Sequence, residues 1–159
     1  MSKLGNALGN KYQEHRASIM TREFELGDHV FKVRIPSVGE TETMVAELKN
    51  PNQEKIDLEY QKLTADIVKY KDEVNDNVEF KNDDIIIDGR SMKDAARTKV
   101  VMETRIVQYM KLLITEDGQS LDDLEYSDVE LEFPFSVQIK FIEKITEAIS
   151  PNYKEIRGK

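Results

Sequence analysis

The segment TREFELGDHVFKVRI, residues 21–35, decides the fold class, because its apolar residues recur at every second position around a central Gly27-Asp28 pair. Phe24 and Leu26 precede the pair, and Phe31, Val33 and Ile35 follow it in alternation with Lys32 and Arg34. A two-residue loop there sets Phe24 opposite Phe31 and Glu23 opposite Lys32, aromatic against aromatic and acid against base. The reading is a β-hairpin, closed by Pro36, which has no N–H to give to a ladder.

Outward from the hairpin the period changes to that of a helix. Residues 1–19 mix Gly, Asn and charge with Leu4, Ala7, Leu8 and Tyr12, an N-terminal arm or short helix. Residues 40–49 read as a helix closed by Asn50-Pro51, and 53–74 as the most regular one. Its seam, Ile56, Tyr60, Leu63, Ile67, Tyr70 and Val74, recurs at alternating steps of four and three and suits a helix partner. Residues 75–84 are polar and turn-rich, an exposed connection; Ile85 to Ile87 is an edge strand that could pair with the hairpin. Ser91 with Asp94 opens a helix over 91–114, in which Lys99 and Glu103 fall inside the apolar arc. Two readings of that pair are open: stems lying on the core with heads paired at its edge, or a contact at an interface.

After Asp117-Gly118, Ser120 and Ser127 each offer an N-cap for a short helical turn, and Pro134 suits the first turn of a last helix over 134–149. Around that helix Phe135, Val137, Ile139, Phe141, Ile142, Ile145, Ala148 and Ile149 cover an arc of roughly 200°, twice what one core requires. Phe135, Ile139, Ile142 and Ile149 share one side, and Val137, Phe141, Ile145 and Ala148 the other. One side should pack inside the protein and the other should meet a partner, with either assignment open. The fold class expected is mainly α with a small N-terminal hairpin (α+β), a single compact helical domain over 20–153, followed by a polar tail at 154–159.

Composition narrows the function. A hydrophobic fraction of 39% is enough to build a core in 159 residues, and the absence of cysteine removes thiolate catalysis, disulfides and Cys-based metal sites. Nothing in the sequence is apolar and long enough to span a membrane, so a cytoplasmic protein is expected, in the host cytoplasm if the protein is viral. The net charge is −8, and residues 112–139 hold no Lys or Arg but carry Glu116, Asp117, Asp122, Asp123, Glu125, Asp128, Glu130 and Glu132. Such a surface disfavours nucleic acid as a partner.

The only histidines, His15 and His29, stand in a charged segment and beside a tight turn, poorly placed for base catalysis. A calcium loop centred on Gly118 would need ligands at Leu113 and Leu124, which have none to offer. Asp122 and Asp123 are explained by the dipole of a helix's first turn, and Gly5 and Gly9 lack the strand that precedes a phosphate loop. No catalytic residue, metal or cofactor is expected. The candidate protein-interaction residues are Ile56, Tyr60, Leu63, Ile67 and Tyr70, with Phe135, Ile139, Phe141, Ile142, Ile145 and Ile149.

The order of features is a β-rich start, a helical middle, Leu121-Asp122-Asp123-Leu124-Glu125, Leu131-Glu132-Phe133-Pro134-Phe135, an apolar helix, and Ile149-Ser150-Pro151-Asn152-Tyr153. It resembles the tail assembly chaperones of long-tailed bacteriophages, mainly over residues 91–153. The resemblance implies a non-catalytic protein that binds the tape-measure protein and tail-tube subunits during tail morphogenesis. It also implies a longer form made by ribosomal frameshifting, with which Arg157-Gly158-Lys159 is compatible through a slippery G GGA AAA. The alternative is a phage structural or adaptor subunit that forms a homo-oligomer.

Overall fold

The computed structural model of the protein describes residues 2–69 and 77–151, and the chain falls into two units, Met1–Glu40 with Ile106–Lys159, and Thr41–Arg105. The class is α+β, mainly helical.

The first unit is organised by the hairpin. β1 (Thr21–Leu26) and β2 (His29–Arg34) pair antiparallel with Phe24 opposite Phe31 and Glu23 opposite Lys32, the register expected from the sequence. Gly27 and Asp28 both take positive φ, 60° and 64°, the left-handed pair that matches the twist of a two-residue hairpin. Phe24 and Phe31 stack with ring centroids 5.4 Å apart, so the hairpin offers one continuous aromatic face. Onto it packs α7 (Phe135–Ile149), whose Phe141 ring stands edge-on to Phe31 at 5.0 Å and to Phe24 at 6.1 Å, while Phe133 adds a ring 4.8 Å from Phe141. Val33, Phe141 and Ile145 are buried completely or nearly so. Ahead of the hairpin, α1 (Lys3–Ala7) and α2 (Gly9–Met20) are broken at Gly9, which takes a φ of 90°.

α3 (Val38–Lys49) begins two residues before the expected 40. Its start is set by Ser37-Val-Gly-Glu40, an S-x-x-E capping box: Ser37 Oγ accepts from Glu40 N at 3.1 Å and Ser37 N donates to Glu40 Oε1 at 3.4 Å. Burial pushes the Glu40 carboxyl up, but the Arg34 guanidinium 2.7 Å away and the Ser37 N–H outweigh it and hold it below the usual range.

The second unit contains α4 (Gln53–Lys69), a three-stranded sheet and most of α5 (Met92–Met110). Ile56 of α4 and Ala96 and Val100 of α5 form its core, with Tyr60 packed against them. The sheet is antiparallel in the order β3 (Val78–Lys81), β4 (Asp84–Ile87), β5 (Arg90–Ser91). This corrects two expectations. Residues 78–81 form a strand within what reads as an exposed connection, and Ile85 to Ile87 belong to the middle strand of a local sheet, not to an edge paired with the first hairpin. Both turns, Asn82-Asp83 and Asp88-Gly89, repeat the positive-φ pair of the first hairpin. Asn and Asp tolerate that conformation, so two hairpins close with strands too short to show a period.

The helix expected over 91–114 ends at Met110. The chain then turns along β2: Arg34 N donates to Leu112 O at 3.0 Å, Ile114 N donates to Lys32 O at 2.9 Å, and Val33 bridges Leu113. The apolar pattern continues through Leu112, Leu113 and Ile114, so periodicity gives no sign of the end; the open edge of β2 supplies the competing hydrogen bonds. Further on, α6 (Tyr126–Glu132) is capped at Glu125, whose N–H donates to Asp128 Oδ2 at 2.9 Å. Ser127 therefore lies inside the helix, and Ser120 instead accepts from Asp122 N in a turn. Tyr70 and Val74 of the expected seam, the end of the 53–74 helix and the 154–159 tail lie outside the described residues.

Candidate protein-interaction surface

α7 carries two apolar stripes, and the hairpin takes one of them. Gln138, Phe141, Ile145 and Ala148, spaced three, four and three apart, are buried, with Phe141 only 1% exposed. On the other side Phe135 is 52% exposed, while Ile139, Ile142 and Ile149 are half-buried. By the helix repeat these four lie within about 80° of one another, centred about 100° from the buried stripe. Of the six candidates on this helix, Phe141 and Ile145 are thus core residues and the remaining four share a second stripe, with Phe135 exposed and the three isoleucines half-buried.

The start of that stripe is held in place by a polar link that sequence patterning misses. Gln138 lies among apolar neighbours, yet both ends of its amide are bonded: Tyr126 Oη donates to Oε1 at 2.8 Å, and Nε2 donates to Phe133 O at 2.9 Å. The link ties α6 to the first turn of α7 across Phe133-Pro134. On α6, Leu131 is 89% exposed between Glu130 and Glu132. An apolar residue with acids on both sides is the signal that could have added it to the candidates.

On α4 the expected seam divides differently. Ile56 is buried in the core, Tyr60 and Ile67 are half-buried, and Leu63 is exposed. Glu59 and Thr64 are buried instead, Thr64 donating its hydroxyl to Tyr60 O at 2.6 Å. Lys99 of α5 reaches Glu59 at 3.0 Å and Glu103 at 3.9 Å, and Lys62 stands 3.8 Å from Glu59. The Lys99 head thus pairs at the edge of the second unit's own core, the first of the two readings of Lys99 and Glu103.

Asp84 anchors the start of α5. Its Oδ1 accepts from Ile85 N at 2.7 Å and Lys93 N at 3.1 Å, its Oδ2 accepts the Ser91 hydroxyl, and Ser91 Oγ accepts from Asp94 N. Burial would raise the Asp84 carboxyl, but the bonds from Ser91, Ile85 and Lys93, with the charge of Lys93, hold it below the ordinary range. A depressed carboxylate adds stability above its unfolded value, and that stability is lost as pH falls through the folded value. Asp84→Asn should therefore lower the melting temperature near neutral pH, and its gap to the wild type should close as pH drops below about 4.

Beside Asp84 is an open cavity of about 430 Å³ lined by Tyr60, Val68, Phe80, Asp83 and Ile85 among others. Burial, then the negative charges of Asp84 and Asp83, push the Tyr60 hydroxyl up, against a smaller opposing effect of the Ile85 backbone. Among the described residues no group of three or more His, Asp or Glu side chains could hold a metal ion, and no helix is long and apolar enough to cross a membrane. His29 packs its ring against Phe31 at 4.6 Å. No protein-family model, no curated protein and no solved structure matches the chain significantly.

Proposed function

We propose that this chain is a non-catalytic binding protein whose outer α7 stripe receives a protein partner, and that it acts as a tail assembly chaperone of a long-tailed bacteriophage. The observation that carries the binding role is the division of α7. A helix needs about 100° of apolar surface for one core, and Phe135, Ile139, Ile142 and Ile149 remain beyond that need. The phage assignment rests on the sequence resemblance around residues 91–153. In that role the chain holds the tape-measure protein and tail-tube subunits in the host cytoplasm until they assemble, and no cofactor takes part.

The test is co-expression with a tape-measure fragment, followed by size exclusion. A complex formed by the wild type and lost in Ile142→Glu supports the reading. A fragment that is equally soluble and elutes alone in both cases overturns it.

A further inference from the structure

We propose that the outer stripe of α7 is built for a basic amphipathic helix, one whose apolar residues lie on Phe135, Ile139, Ile142 and Ile149 and whose flanking Lys and Arg meet the acids around them. This rests on the reading of α7 as a binding face and names the chemistry of its occupant. Three observations select that chemistry.

α7 has 15 residues, a length of about 22 Å, and the stripe runs along it with Thr146 standing between Ile142 and Ile149, so a second helix of about four turns matches it in length. Acidic residues accompany it. α6, tied to α7 through Gln138, carries Asp128, Glu130 and Glu132, all exposed, with Leu131 among them. Along α7 itself, Glu143 and Glu147 follow at about 80° and 120° from the stripe's centre, ahead of Lys140 and Lys144 at about 140° and 180°. An incoming helix therefore meets carboxylates before it meets lysines.

A second copy of this chain would bring the same acids to the same border, and like charges across an interface repel. A nucleic acid meets that repulsion along its whole backbone and has no use for an aliphatic stripe. A basic amphipathic helix satisfies both halves of the surface: its apolar face is removed from water and its cations face carboxylates.

The experiment uses the full chain and three labelled synthetic peptides of about 15 residues, matched to α7. One has a Leu stripe flanked by Lys and Arg, one has the same stripe flanked by Glu, and one has the basic composition with the Leu residues scattered around the helix. Binding is read by fluorescence anisotropy at about 0.1 M salt, where the Debye length is about 10 Å. The basic striped peptide should bind at least roughly tenfold more tightly than either of the others. Ile142→Glu, or Phe135→Glu should that variant unfold, should weaken it by a similar factor or more. Neutralising Asp128, Glu130 and Glu132 to their amides should remove most of the preference for basic over acidic flanks. Equal binding of the basic and acidic striped peptides, or of the striped and scattered basic ones, overturns the proposal. If that happens while Ile142→Glu still loses the tape-measure fragment, the occupant's chemistry is wrong and the binding face stands. If the fragment is also held unchanged, the binding face itself is wrong.

Discussion

Phe141→Ala lowers the stability of the hairpin unit by about 3–5 kcal/mol, a large part of the 5–15 kcal/mol that holds a typical domain together. The ring is 1% exposed and touches Phe24, Phe31 and Phe133, so its removal strips one face from each of three aromatic neighbours. A cavity left in a close-packed core adds to the loss of transfer free energy. Amide hydrogen exchange in β1 and β2 measures this unit by itself, and protection there should fall about a hundredfold or more. Phe135→Ala on the same helix removes a ring that is already half in water and should change that protection by less than about tenfold.

Lys99→Met should destabilise the second unit by about 2 kcal/mol. Glu59 has a side chain only 10% exposed and loses its 3.0 Å partner, while Lys62 at 3.8 Å offers weaker compensation from solvent. Loss of one partner from a fully buried pair costs about 3–5 kcal/mol; Lys99 is half exposed, which moves the figure down. Glu59→Met combined with Lys99→Met should recover most of the loss, because two apolar stems then replace the pair without leaving a charge behind. Urea unfolding of the two single variants and the double variant closes the cycle. A Lys99→Met variant as stable as the wild type would mean that water, not Lys99, satisfies Glu59.

The features legible in the sequence are those whose causes are local. Residues 21–35 contain their own turn, their own alternation and their own cross-strand pairs, so turn and register follow from neighbouring residues. The double apolar arc of α7 is equally plain, but which side is core depends on Phe24 and Phe31, more than a hundred positions away in the chain. The end of α5 is hidden for a related reason: Leu112 to Ile114 suit a helix, and only the distant edge of β2 draws them away. β3 and β5 are too short for a period to register, and their turns rely on Asn82, Asp83 and Asp88 adopting positive φ. Gln138 and Glu59 are buried because each has a partner beyond its own helical turn, Tyr126 and Lys99, which composition and spacing do not show.

Two adjacent residues of α7, Phe141 and Ile142, separate the face in the core from the face proposed for a partner. Phe141→Glu and Ile142→Glu should be compared by circular dichroism melting and by size exclusion with a tape-measure fragment. Phe141→Glu places a charge in the aromatic core and should abolish the cooperative transition of its unit; Ile142→Glu should melt close to the wild type and fail to associate. Unfolding of both variants, or an Ile142→Glu protein that is folded and binds as the wild type does, would contradict the account.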